Sequence, residues 1–166
     1  VFEMDKGKII KQIPYPIAEN DTTESLYTKL FHEAGKTTSQ VIKDYLDGNL
    51  TLAQQNENDA TYTTPSGKFD RTTQIQKEDA KIDWQNSDTQ IEAQIRAFYP
   101  WPIAFTTVKE LAQKCKKQVR NANLENQKVK IFKAKLTNGI LEIIEVGPEN
   151  KNKMDFKSFE NGYLKD

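Results

Sequence analysis

Three stretches of this sequence have the residue types for chemistry. Asp5 stands two residues before Gly7, at the head of the run Lys8-Ile9-Ile10. A carboxylate so placed can orient a catalytic histidine or relay a proton, although an isolated Asp-x-Gly is most often only a turn former. Lys114, Lys116, Lys117 and Arg120, followed by Lys128, Lys130, Lys133 and Lys135, make a basic array. Such cations can contact phosphates, where they displace counterions and make affinity fall with salt. The alternative is a solvated face, and for Lys130, Lys133 and Lys135 the solvent side of a strand is the favoured reading. The third stretch, Ile95 to Phe105 (IRAFYPWPIAF), holds four aromatic residues, two prolines around Trp101 and one arginine. It raises the question of a base-stacking surface.

The elements that position these groups follow from local pattern. Ile9, Ile10 and Ile13, ahead of Pro14 and Pro16, predict a strand leaving the Asp5-Lys6-Gly7 turn. Asp21 to Glu24 has the spacing of a capping box, followed by Leu26, Leu30 and Ala34, then Val41, Ile42, Tyr45 and Leu46, up to Gly48. This predicts a helical arm in one or two pieces, interrupted at Gly35, that needs a partner surface. Asn49 to Asp79 has linker composition, with few apolar anchors to offset the entropy of ordering.

Ser87 to Gln90 is a second capping box, and Ile91, Ile95 and Phe98 share one helical face. Arg96 points away from that face, and Pro100 ends the helix. Pro100 and Pro102 are expected to hold the chain extended around Trp101, making this stretch an anchor rather than a stacking platform. Thr107 to Glu110 is a third box, and Val108, Leu111, Ala112, Cys115 and Val119 predict a helix over about 108–120 that displays Lys114, Lys116, Lys117 and Arg120. In Lys128 to Leu136 the apolar alternation slips once, which predicts a bulged strand. Asn138-Gly139 is a two-residue hairpin signal, with ILEIIEV as the returning strand. Met154, Phe156, Phe159 and Tyr163 predict a tail laid back on this β region.

The totals bound the function classes. The 166 residues suffice for one ordinary domain or two small pieces. Eight Phe, six Tyr and two Trp are too many for a disordered chain. Cys115 and His32 are the only residues of their types, so neither an intrachain disulfide nor a cysteine metal cluster can form and no metal is expected. No apolar run approaches a membrane span, so a cytoplasmic protein is expected. The formal charge is zero, yet residues 1–80 carry 9 Lys/Arg against 13 Asp/Glu, residues 81–137 carry 11 against 5, and residues 138–166 carry 4 against 6. A basic middle in a neutral chain suits a polyanion partner. The chain begins at Val1 without methionine and is expected to be the tail of a longer protein.

MDKGKIIKQIPYPI, DTTESLYTKL, QKEDAKIDW, IRAFYPWPIAF, KVKIFKA and MDFKSFENGY stand here in the order and approximate spacing of methionyl-tRNA formyltransferases. The chain resembles the C-terminal part of that family over nearly its whole length, with KIDW followed by IRAFYPWP as the most specific elements. The resemblance implies an α+β chain in which the C-terminal strand and helices of a truncated Rossmann-like α/β domain (1–48) join through a linker (49–80) to a small OB-like β-barrel domain (81–166).

The resemblance also implies formyl transfer from 10-formyltetrahydrofolate to the amino group of initiator methionyl-tRNA in translation initiation. Asp5 would be the carboxylate of an Asn-His-Asp set, orienting a histidine that helps stabilise the oxyanion as the neutral amine attacks. The asparagine, the histidine and most of the folate pocket would lie upstream of Val1, since His32 does not match the catalytic position. The fragment alone is therefore expected to be inactive and the complete enzyme monomeric. Lys114, Lys116, Lys117, Arg120, Lys128 and Lys130 become the tRNA-binding candidates, while the folate-contacting residues stay unassigned. The stretch VKELAQKCKKQVRNANLENQ is longer than the family's connector, and the closing β region is abbreviated.

Two alternatives remain at this stage. Another folate-dependent formyltransferase would share the catalytic domain. A stand-alone OB-like nucleic-acid-binding module is disfavoured by Ile9, Ile10, Leu26, Leu30, Val41 and Ile42, which need a larger surface to bury themselves.

Overall fold

The computed structural model describes residues 6–56, 58–59 and 75–166. The chain divides into two compact units, one of Val1–Glu19 with Ser25–Ile75 and one of Asn20–Glu24 with Gln76–Asp166. No helix among the described residues is long and apolar enough to cross a membrane.

The first unit is built on helix α1 (Thr23–Leu46), which runs through Gly35 without interruption and buries none of its residues. It starts inside the predicted Asp21–Glu24 stretch. In place of the expected strand near Ile9 there is one isolated antiparallel bridge between Ile9 and Ala53, closed by amide-to-carbonyl bonds of 2.8 and 3.0 Å. A ladder needs a second extended segment of matching length, and the described residues of this unit bring only the Ala53 region alongside Ile9. The predicted Asp5 turn lies outside the described residues.

The second unit is mixed helix and sheet. After a 3₁₀ turn (Lys77–Ala80) comes α2 (Asp88–Ala97). The Ser87 hydroxyl accepts from the Gln90 amide and the Gln90 side chain accepts from the Ser87 amide, closing the predicted box. Ile91 and Ile95 are its buried residues. Strand β1 (Phe105–Thr107) leads into α3 (Val108–Lys114), capped by Thr107 and Glu110 as predicted. The predicted extension of α3 to residue 120 does not occur. Lys116 takes a φ of 55°, and Gln118–Val119 form strand β2 instead.

Beyond a 3₁₀ turn (Ala122–Leu124), β3 (Lys128–Thr137) and β4 (Ile140–Pro148) form the predicted hairpin. Asn138 and Gly139 have φ of 52° and 79°, the doubly positive geometry of a two-residue turn whose twist matches the strands. The register slips between Ile131 and Ala134, where the alternation predicted a bulge. Then follow β5 (Met154–Asp155), α4 (Phe156–Tyr163) and β6 (Leu164–Lys165). The tail thus closes with a helix, capped by Asp155, whose carboxylate accepts from the Ser158 amide.

The strands form two open sheets, an antiparallel one ordered β1-β3-β4-β5 and the pair β2-β6. The closed barrel implied by the resemblance is not formed among the described residues. The edge strands β1 and β5 are three and two residues long, and β6, which could have extended the ring, pairs with β2 instead. One face of the large sheet is covered by a core of Ile82, Ile91, Ile95, Val108, Leu111, Val129, Ile131, Val146, Phe159 and Leu164, with Ala104 and Ala112. Each of the larger side chains contributes about 1.5–3 kcal/mol through burial.

Candidate nucleic-acid interface

The KIDW segment is held by a polar network under β1. The Trp84 Nε1–H donates to Thr106 Oγ1 at 2.9 Å, and the Thr106 hydroxyl, itself fully buried, donates to Glu110 Oε2 at 3.0 Å. Glu110 also accepts from the Thr107 amide at 3.0 Å and pairs with Lys81 at 3.2 Å. Burial pushes the Glu110 carboxyl up, but the bonds from Thr107, Thr106 and Lys81 outweigh it and hold the group below the ordinary glutamate range. A capping residue of α3 thereby locks the motif to the sheet.

Lys114 ends α3 and pairs with Asp88 at 2.6 Å, with its ammonium 5.7 Å from the centre of the Trp84 ring. Asp88 also accepts from the Leu141 amide at 2.8 Å. That backbone bond first, then Lys114, holds the Asp88 carboxyl below its usual range. Lys117 pairs with Asp166 at 3.2 Å and Glu160 at 3.7 Å, and Asp166 is the main cause of its raised pKa. Lys116 and Arg120 are exposed, and the Arg120 amide bonds to the Tyr163 carbonyl at 2.8 Å. The four cations predicted to share one helix therefore lie on a helix end, a turn and the entry to and exit from β2. Two of them have acidic partners inside the fold.

Lys128 and Lys130 are brought together on one face of β3, because alternate residues Val129 and Ile131 point into the core. The Lys128 ammonium stands 4.2 Å from the centre of the Phe105 ring. Lys130 and Lys133 are exposed, while Lys135 pairs with Glu142 at 2.9 Å. Lys153 was missed at the sequence level, since nothing in its polar surroundings marks it. Its ammonium sits 4.2 Å from the Phe132 ring centre and 5.5 Å from that of Tyr99.

The aromatic stretch departs from expectation. The bonds Tyr99–Pro100 and Trp101–Pro102 are both cis, and Ile103 has a φ of 72°. The segment is a turn closed by the Ile103 amide on the Phe98 carbonyl at 3.0 Å, not an extended strap. Trp101 is 56% exposed on it. Arg96 is held by Glu92 at 2.7 Å and by the Asp21 carbonyl at 2.7 Å. Asp5 lies outside the described residues.

The profile of the family described as "Formyl transferase, C-terminal domain" matches residues 74–164, more than half of the chain. The chain belongs to this family. Its matched region runs from just before the first 3₁₀ turn to β6 and so takes in the Trp84 network and both lysine groups. A methionyl-tRNA formyltransferase of Lactococcus lactis subsp. cremoris is 29% identical over 175 aligned positions, covering 98% of this chain and 51% of the relative. Methionyl-tRNA formyltransferases of Geobacillus sp. and Marinobacter nauticus are each 36% identical over 107 positions, covering 64% of this chain and 31% and 32% of their own lengths. The chain spans about half the length of the L. lactis relative, which it matches nearly end to end.

Proposed function

We propose that the chain is the C-terminal part of a methionyl-tRNA formyltransferase, which transfers a formyl group from 10-formyltetrahydrofolate to the amino group of initiator methionyl-tRNA. The observation that carries this reading is the similarity to a protein of that name across 98% of the chain. The proposed organisation keeps residues 1–48 as the end of a Rossmann-like catalytic domain, 49–80 as a linker and 81–166 as an OB-like tRNA-binding domain.

Most of the folate pocket is assigned to the rest of the enzyme, and His32, exposed on α1, is given no part in it. This chain is given two tasks. Asp5 supplies the carboxylate that orients the catalytic histidine. The exposed cations Lys116, Arg120, Lys128 and Lys130 contact tRNA phosphates, with Lys114 and Lys117 joining them only by leaving their carboxylate partners.

In the complete enzyme, Asp5→Ala is expected to lower kcat by about 10²- to 10⁴-fold with tRNA affinity nearly unchanged. Turnover equal to that of the unsubstituted enzyme would refute the role. The 166-residue chain alone is expected to bind initiator tRNA in a salt-dependent way without formylating it.

A further inference from the structure

We propose that the outer face of the four-stranded sheet is a stacking platform for unpaired nucleotides of the RNA substrate, with Phe105 and Phe132 as the ring surfaces. Lys128, Lys130 and Lys153 are its phosphate contacts. The proposal rests on the tRNA-directed reading above and adds to it a place and a mode of contact.

The register builds the platform. Val129 and Ile131 are at most 1% exposed on the core side, so Lys128 and Lys130 face outward. Lys130 lies opposite Phe105 on β1 and opposite Gly147 on β4, which sets a ring, a cation and a glycine in one row across the sheet. Phe132, at the bulge, lies over that glycine. A Cβ at Gly147 would stand 2.7 Å from Phe132 Cε2, so the ring occupies the space that any other residue would fill.

Each ring carries a lysine ammonium 4.2 Å from its centre, Lys128 on Phe105 and Lys153 on Phe132. Lys153 comes from the loop before β5, and its acidic neighbour is Glu145, at 3.8 Å. A base stacked on an aromatic ring is held more strongly than an exposed ammonium over the same ring, and a phosphate oxygen is a stronger partner for the ammonium than a ring face. Arrival of a nucleotide therefore favours exchange, the base taking the ring and the lysine swinging to the adjacent phosphate. Half-buried rings interleaved with lysines on a face away from the core have the composition that such binding requires.

The test is equilibrium binding of the 166-residue chain to uncharged initiator tRNA and to a blunt RNA duplex, over a salt series. Phe132→Leu is expected to weaken tRNA binding by about tenfold with the salt slope and duplex binding unchanged. Phe132→Tyr, which keeps the ring, should retain affinity and so separates stacking from damage to the fold. Lys130→Gln should lower the salt slope by about one. If Phe132→Leu and Phe105→Leu bind tRNA like the unsubstituted chain while Lys130→Gln weakens it, the platform is refuted and the tRNA reading stands. If the unsubstituted chain shows no salt-dependent tRNA binding, the tRNA reading falls and the platform with it.

Discussion

Replacing Thr106 by Val keeps the shape of a fully buried side chain and removes one hydroxyl. Two bonds go with it, the 2.9 Å bond from Trp84 Nε1–H and the 3.0 Å bond to Glu110 Oε2. A neutral hydrogen bond is worth about 1 kcal/mol and one to a carboxylate about 1.5–3 kcal/mol. Water reaches Glu110, whose side chain is 32% exposed, and offsets part of the second. The expected loss is roughly 2 kcal/mol, which lowers the urea midpoint by about 1 M at an ordinary slope for a domain this size. Tryptophan fluorescence follows the transition directly, since Trp84 and Trp101 both lie in the second unit.

Glu110→Gln and the double variant complete a cycle with an expected coupling of about 1 kcal/mol. The pH dependence adds an independent readout. The folded Glu110 pKa is depressed, so its contribution is present above the unfolded value of about 4.3 and is lost as pH falls through the folded value. Thr106→Val should reduce that acid loss. A valine variant within about 0.5 kcal/mol of the parent, with an unchanged acid limb, would show that the Trp84 network does not hold the motif.

Gly147→Ala drives a methyl into the Phe132 ring at 2.7 Å and is expected to cost about 1–3 kcal/mol; a melt of the double variant with Phe132→Ala should show relief rather than an additive loss. Asp88→Asn keeps an acceptor for the Leu141 amide but removes the charge opposite Lys114, for an expected loss of about 1–2 kcal/mol at neutral pH. The folded Asp88 pKa is depressed, so that difference should disappear as pH falls below about 3.9 and through the folded value, as urea titrations across pH would measure.

What the sequence determined by itself lies within a few residues of its own cause. Ser87 with Gln90 and Thr107 with Glu110 cap their helices because both partners sit within one turn. Asn138-Gly139 makes its hairpin because these residues tolerate positive φ, and the slipped alternation near Phe132 marks the bulge. Membership of the family was legible through KIDW and IRAFYPWP.

Tertiary structure decided what depends on partners far along the chain. The helix expected to reach residue 120 stops at Lys114, because Gln118–Val119 pair with Leu164–Lys165, a contact that helical periodicity cannot register. Lys114 and Lys117 read as free cations until Asp88, Glu160 and Asp166 are brought beside them. Lys153 acquires a place in the candidate interface only when the loop before β5 lays it over Phe132 and Tyr99. A charge pattern counts cations along the chain, whereas the fold determines which of them keep a face toward solvent.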